Sequence, residues 1–129
     1  SKGDMTAALT MPYIAALETE SWSLANLQKK LALPAHAARE AATALAATKQ
    51  LKKPSSFATS PFVARIVFAL ITRFVPFNLE LYLERHFKKV SAQTRQMLEE
   101  WINMAKARNL PCEQLVQLKN KLTKYNRYS

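Results

Sequence analysis

Glycine is nearly absent from this sequence: Gly3 is the only one among 129 residues. A P-loop and the G-x-G-x-x-G turn of dinucleotide-binding domains both need several glycines, because the backbone must approach the phosphates closely. The sequence therefore excludes a nucleotide site of either type, and we assign no cofactor site to this chain. β-branched residues are also sparse, whereas alanine and leucine are abundant, which favours helix throughout.

Cysteine and acidic residues are scarce as well. Cys112 is the only cysteine, which excludes an internal disulfide and a zinc site built on two thiolates. A single cysteine fits a reducing compartment, so we expect a cytoplasmic protein. Nine Asp and Glu face 19 Lys and Arg, giving a net charge of +10. This balance fits either a solvated basic surface or an anionic partner.

Long apolar runs are missing too. A membrane span needs about 18 consecutive apolar residues, and the nearest run, residues 62–75, is interrupted by Arg65 and Arg73. The first nine residues include Asp4 and hold no apolar run, so we expect no signal peptide. We therefore expect no membrane partner.

Prolines and capping residues predict an all-α protein of about six helices, forming one domain over residues 1–129. The predicted helices start at Pro12, at a cap on Ser21 or Ser23, and at Pro34, Pro61, Asn78 and Pro111. Residues 52–60 read as an exposed connection, which leaves open a subdivision there. The third helix has an alanine-rich face that allows close packing.

Two of these helices have distinctive patterns. The helix over residues 62–75 is apolar around well over half of its circumference, so we expect it to be central. The next, over residues 78–108, is about 30 residues or roughly 45 Å long, and we expect a bend near Ser91. Asn109 is a candidate left-handed terminator for this long helix.

The positive charge raises the question of nucleic acid. Six basic residues form local clusters that could contact phosphates: Lys49, Lys52, Lys53, Arg85, Lys88 and Lys89. No turn followed by a recognition helix accompanies them, so we do not expect specific nucleic-acid binding as the main role. A basic helical module that binds nucleic acid or an acidic protein remains the alternative function.

Four residues on adjacent turns of the long helix could present donors to a carboxylate: Arg85, His86, Lys89 and Gln93. The competing interpretation is that His86 packs at the edge of the core. His36 lies fifty residues away, and neither histidine has carboxylates at metal-ligand spacing, so we expect no metal site. Cys112 precedes an apolar stripe and is interpreted as a packing residue.

Residues 82–95, YLERHFKKVSAQTR, followed by Met97-Leu98-Glu99-Glu100, resemble the C-terminal helical domain of the ketopantoate reductase (2-dehydropantoate 2-reductase) family, in a divergent branch. Residues 105–111 resemble the point where the long helix of that domain ends. Residues 39–46 give a weaker match. The resemblance implies the fold of the 6-phosphogluconate dehydrogenase C-terminal-like helical domains.

The resemblance further implies that this chain is the C-terminal part of a longer two-domain oxidoreductase. The N-terminal Rossmann domain of the same polypeptide would hold NADPH, and the helical domain would serve the substrate side and dimerisation. The substrate would be a small 2-oxo acid, faced by Arg85, His86, Lys89 and Gln93, and a homodimer is allowed. This chain alone would not be active. Gln93 falls near the family glutamate, and Lys29 and Lys30 do not match the spacing of the family lysine, so the catalytic residue stays unassigned.

Overall fold

A computed structural model describes residues 2–75 and 78–128, with the side chains of residues 4–75 and 78–127. Seven α-helices follow one another in this part of the chain: α1 (Lys2–Thr19), α2 (Leu24–Gln28), α3 (Ala32–Lys49), α4 (Pro61–Phe74), α5 (Leu79–Phe87), α6 (Ser91–Ala107) and α7 (Glu113–Tyr128). Short 3₁₀ turns cover Ser56–Thr59 and Lys88–Val90, and the second of these joins α5 to α6. With α5 and α6 counted as one joined helix, the prediction of an all-α protein of six helices is confirmed.

Local capping chemistry sets several helix ends. The Ser23 hydroxyl accepts a hydrogen bond from the Asn26 amide at the start of α2, and Asn78 Oδ1 accepts one from the Leu81 amide at the start of α5. Asn109 has a φ of 55°, and the Leu110 amide donates back to the Ala105 carbonyl at 2.9 Å. The predicted caps at Ser23 and Asn78 and the predicted terminator at Asn109 are confirmed.

The predicted helix start at Pro12 is wrong. Pro12 is buried inside α1, which already begins at Lys2. An internal proline loses one backbone hydrogen bond and its ring crowds the carbonyl four residues earlier. Burial on both sides of Pro12 favours the continuous helix, because Ala8 and Ala15 are both fully buried.

The core lies between α1, α3, α6 and α7, and α3 packs against each of the other three. Small side chains make this possible, because seven alanines of α3 are buried: Ala35, Ala37, Ala38, Ala41, Ala42, Ala44 and Ala46. The predicted close-packing face of this helix is confirmed. From α7, Leu115, Leu118 and Leu122 fill the space at full burial, as the apolar stripe predicts.

Two carboxylates bind helix N-termini on other elements. Glu40 Oε1, from the middle of α3, accepts a hydrogen bond of 2.8 Å from the Leu115 amide in the first turn of α7. Glu80 Oε2, from α5, accepts one of 2.7 Å from the Leu24 amide that begins α2. Both satisfy amides that have no partner within their own helix and place negative charge at the positive end of the helix dipole.

Within the described ranges, no single helix is both long and apolar enough to cross a bilayer. By length and composition alone, α4 and the joined α5–α6 unit pass such a test only as a pair, and the two are bent by 109° relative to each other. The subdivision at residues 52–60 stays a prediction. In the structure, that segment runs from α3 into α4, and Arg39 Nε donates to Thr59 Oγ1 at 3.3 Å.

Candidate functional site

The outer side of α4 carries a row of large apolar side chains that remain exposed in the described structure. Phe62, Ile66, Leu70 and Phe74 follow one another every four residues, so they lie on one side of the helix. Their exposed fractions are 68%, 46%, 52% and 70%. We call these four residues the α4 face. Contiguous apolar surface of this kind marks interaction sites in folded proteins.

The expectation that this helix is central is therefore wrong. On its inner side only Ala64 is buried, and Phe68 packs its ring against Tyr13 with centroids 5.5 Å apart. The core between α1, α3, α6 and α7 is already filled, so α4 lies along its edge against α2 and α3. Apolar composition on nearly all sides predicts that a helix is covered, but it does not say by what.

The segment that contains α4 carries charges of one sign. Residues 41–79 contain five Lys or Arg and no Asp or Glu. On α4 itself, Arg65 and Arg73 are exposed, and the guanidinium carbon of Arg73 lies 5.8 Å from the centroid of the Phe74 ring. Phe57, in the turn that precedes α4, is 71% exposed. The segment therefore combines exposed aromatic and aliphatic groups with positive charge alone.

Three of the four predicted substrate-facing residues lie together on α5 and the turn after it. Arg85, His86 and Lys89 line an open groove of about 660 Å³, with apolar walls from neighbouring side chains. His86 is exposed and stacks on the ring of Tyr82, with centroids 5.8 Å apart and an angle of 8° between the planes. The interpretation of His86 as a residue packed at the core edge is therefore not supported. The groove offers two cations and an imidazole to an anionic ligand.

Gln93 does not line this groove; it is exposed near the start of α6. On a continuous α-helix, positions 85, 89 and 93 would share one side. The 3₁₀ turn Lys88–Val90 changes that phase, because each of its three residues advances about 120° instead of 100° around the axis. The accumulated difference of roughly 60° separates Gln93 from the others. The bend expected near Ser91 stays a prediction; the 3₁₀ turn ends at Val90, directly before that residue.

The basic residues of the alternative function do not come together in one place. Lys53 lines a cavity with Arg39 and Thr59, beside the connection between α3 and α4. Arg85 and Lys89 line the separate groove on α5. Lys88 contributes to a third cavity, beside the start of α6, so the six residues do not line one common phosphate-binding surface.

A buried polar cluster links three helices and was not predicted. Glu18 of α1 is only 3% exposed, and its Oε2 accepts a hydrogen bond of 2.6 Å from the hydroxyl of Ser91 at the start of α6. Asn126 of α7 donates to the same hydroxyl oxygen at 3.1 Å. Among the described residues, Glu18 Oε1 has no hydrogen-bond partner. A cavity of about 440 Å³ adjoins the cluster, and Arg95 and Lys88 contribute to its walls.

The sequence does hold a signal for Glu18. Ala8, Met11 and Ala15 form an apolar stripe at helical spacing, and Glu18 occupies the next position of that stripe. Its partner Ser91 is 73 positions away, and Asn126 is 35 positions beyond Ser91, so no local pattern identifies them. The cluster does not form a nucleophilic site of the Ser-His type, because no histidine lines the cavity next to Ser91 in the described part of the chain.

No family model, curated protein or solved structure matches this chain. In residues 2–75 and 78–128, no three His, Cys, Asp or Glu side chains are grouped so that they could hold a metal ion. Cys112 is half-buried and is a free thiol. The α4 face and the groove on α5 are therefore the candidate functional surfaces, and both suit binding by apolar contact and positive charge.

Proposed function

We propose that this chain is a helical interaction module that binds an anionic partner through the α4 face and the cations around it. The observation that carries this proposal is the coincidence of four exposed apolar side chains with a 41–79 segment that has no carboxylate. Burial of the apolar side chains on a partner supplies affinity, and the one-sided charge selects a partner of negative potential.

The remaining helices serve this role as a scaffold. α1, α3, α6 and α7 bury their apolar side chains among themselves, so the core is formed without the α4 face. Glu80 holds α5 against the start of α2, and Gln28 Nε2 donates to Thr72 Oγ1 of α4 at 3.4 Å. These contacts fix α4 and α5 on the scaffold while their outer sides stay available.

The test uses three immobilised anionic probes: polyglutamate, a DNA duplex, and vesicles that contain phosphatidylserine. We expect the chain to bind at least one of them at 50 mM salt, and to bind it at least tenfold more weakly when Phe62→Ser and Phe74→Ser are combined. The double variant Arg65→Gln, Arg73→Gln removes the two cations of α4. Its matched control is the double variant Lys106→Gln, Lys121→Gln, which removes two exposed cations from α6 and α7. Binding that is the same in the wild type and the phenylalanine variant would mean only general attraction to a basic protein, and would contradict the proposal.

A second function is favoured by the groove on α5. Under this second function, the chain is the helical domain of a ketopantoate reductase-like NADP-dependent oxidoreductase. The Rossmann domain of the same polypeptide supplies the hydride from bound NADPH. The support is the resemblance of residues 82–95 together with the convergence of Arg85, His86 and Lys89 on one groove. The share of this chain would be to hold the carboxylate of a 2-oxo acid with Arg85 and Lys89.

The two functions predict different results for a small ligand. If the reductase-like function holds, 2-oxobutanoate shifts the imidazole NMR signals of His86 in a saturable way, Arg85→Gln abolishes the shift, and NADPH leaves the melting temperature of this chain unchanged. If only the interaction module holds, 2-oxobutanoate shifts nothing while the anionic probes still bind. Stabilisation of this chain by NADPH would contradict the assignment of the cofactor to another domain.

A further inference from the structure

We infer that the anionic partner is a membrane surface rich in acidic phospholipids, on which α4 lies parallel to the bilayer. This inference rests on the proposed function and names the class of partner. The α4 face would enter the boundary between headgroups and acyl chains, while Arg65 and Arg73 contact the phosphate and carboxylate groups of the lipids. It departs from the expectation of no membrane partner, because the sequence does not reveal that the apolar side of α4 is left uncovered.

The shape of the α4 face suits a lipid interface. Its four side chains project from the outer side of one helix whose inner side is held by Ala64 and Phe68, so the face is a ridge and not a groove. A lipid interface adapts to a ridge, whereas a protein partner would need a complementary groove. Phenylalanines stand near both ends of the ridge, and aromatic and aliphatic groups beside Arg are typical of helices that lie in the interface.

The length of α4 fits a helix that lies on a membrane and does not cross it. Its 14 residues span about 21 Å at 1.5 Å per residue, which is less than the roughly 30 Å of a hydrocarbon core. The inner side is also committed to the protein, because the Phe68 ring packs on Tyr13. Only one side of the helix is therefore available to lipid, as in helices that bind at the interface.

The charges argue against a second copy of this chain, and against nucleic acid, as the partner of the α4 face. A second copy of this chain would bring a second acid-free segment with its own Arg65 and Arg73 against the first, at a net charge of +10 on each copy. The phosphates of a nucleic-acid duplex would pair with the cations but leave the four apolar side chains in water. An acidic lipid surface supplies both the negative charge and the apolar medium, and attracts each nearby Lys or Arg.

The experiment is flotation with vesicles of phosphatidylcholine alone and with 30% phosphatidylserine, at 100 mM salt. We expect the full chain to bind the anionic vesicles at least tenfold more strongly than the neutral ones. Phe62→Ser with Phe74→Ser should weaken binding at least tenfold. Arg65→Gln with Arg73→Gln should weaken it roughly 30-fold, which corresponds to about 1 kcal/mol for each cation near the surface. The control variant Lys106→Gln, Lys121→Gln should change binding less than threefold.

Insertion is measured separately. In a Cys112→Ser background, an environment-sensitive fluorophore on Leu70→Cys should shift to the blue when anionic vesicles are added. The same fluorophore on Gln117→Cys, an exposed position of α7, should not shift. Circular dichroism and thermal melting check that each variant folds, and Leu70→Gln replaces the phenylalanine pair if that pair does not fold.

Equal binding to neutral and anionic vesicles, equal binding by all variants, or no shift at position 70 would overturn the lipid inference. If polyglutamate or DNA binding depends on Phe62 and Phe74 while vesicle binding does not, the lipid inference fails and the proposed interaction module stands. If no probe shows that dependence, both fail.

Discussion

Replacing Glu40 with alanine removes the carboxylate that caps α7 from a neighbouring helix. In the wild type, Glu40 Oε1 accepts a hydrogen bond of 2.8 Å from the Leu115 amide, in a partly buried position. The substitution leaves that amide without its partner and removes negative charge from the positive end of the helix. It also removes a hydrogen bond between α3 and α7, two helices that pack against each other in the core.

The magnitude follows from two contributions. A hydrogen bond to a charged group contributes about 1.5–3 kcal/mol, and a charge at a helix terminus contributes roughly 0.3–1 kcal/mol. Alanine recovers a few tenths of a kcal/mol through its higher helix propensity in α3. We therefore expect Glu40→Ala to lower the free energy of unfolding by about 2 kcal/mol. Glu40→Gln, which keeps an acceptor oxygen without the charge, should lower it by about 1 kcal/mol.

Urea unfolding followed by circular dichroism at 222 nm measures both values by linear extrapolation. Glu100→Ala is the matched control, since it makes the same change at an exposed position inside α6, and it should alter stability by less than about 0.5 kcal/mol. Hydrogen exchange should also show faster exchange of the Leu115 amide in Glu40→Ala. If Glu40→Ala and Glu100→Ala unfold at the same urea concentration, the capping argument is refuted.

Three further predictions concern the core and the periphery. Burial raises the pKa of Tyr13 from 10.0 to about 12, so the folded state holds this proton more tightly and loses that stabilisation as the pH rises from 10 towards 12. The urea midpoint of the wild type should then fall more steeply over this pH window than that of Tyr13→Phe. Equal slopes of the two midpoints against pH would contradict the raised pKa of Tyr13. Leu118→Ala opens a cavity at a fully buried position of α7 and should cost about 2–5 kcal/mol by urea unfolding, whereas a loss below 1 kcal/mol would mean that the core collapses around it. In α4 only Ala64 is buried and in α5 no residue is, so their amides should exchange with solvent well before those of α3, and equal protection by exchange mass spectrometry would exclude this difference.

The parts of the fold that the sequence predicts are those fixed by neighbouring residues. Ser23, Asn78 and Asn109 mark helix ends because capping and left-handed termination depend on a few adjacent positions. Arg85 and Lys89 line one groove for the same reason, since they are only four positions apart in the sequence. Local periodicity is enough wherever the partners lie within one helical turn.

The parts that the sequence does not predict depend on distant contacts. Pro12 reads as a helix start, but burial on both sides keeps α1 continuous through it. The position of α4 depends on a core that other helices have already filled. The cluster of Glu18 with Ser91 joins positions 73 residues apart, and no spacing rule connects them. Gln93 leaves the predicted group because a 3₁₀ turn changes the helix phase, and no residue in KKV signals such a turn.

The alanines of α3 also determine where this protein can change over evolution. α3 packs against three other helices mainly through buried alanines, so its contact positions have no room for an added methylene. Overpacking of that kind costs roughly 1–3 kcal/mol. Ala41 and Ala44, both fully buried, should therefore resist nearly every larger residue, while the outer positions of α4 accept many substitutions without loss of folding. Selection on binding would then act on a surface that the fold does not constrain. Affinity for the partner can therefore fall or rise during evolution while the fold is preserved.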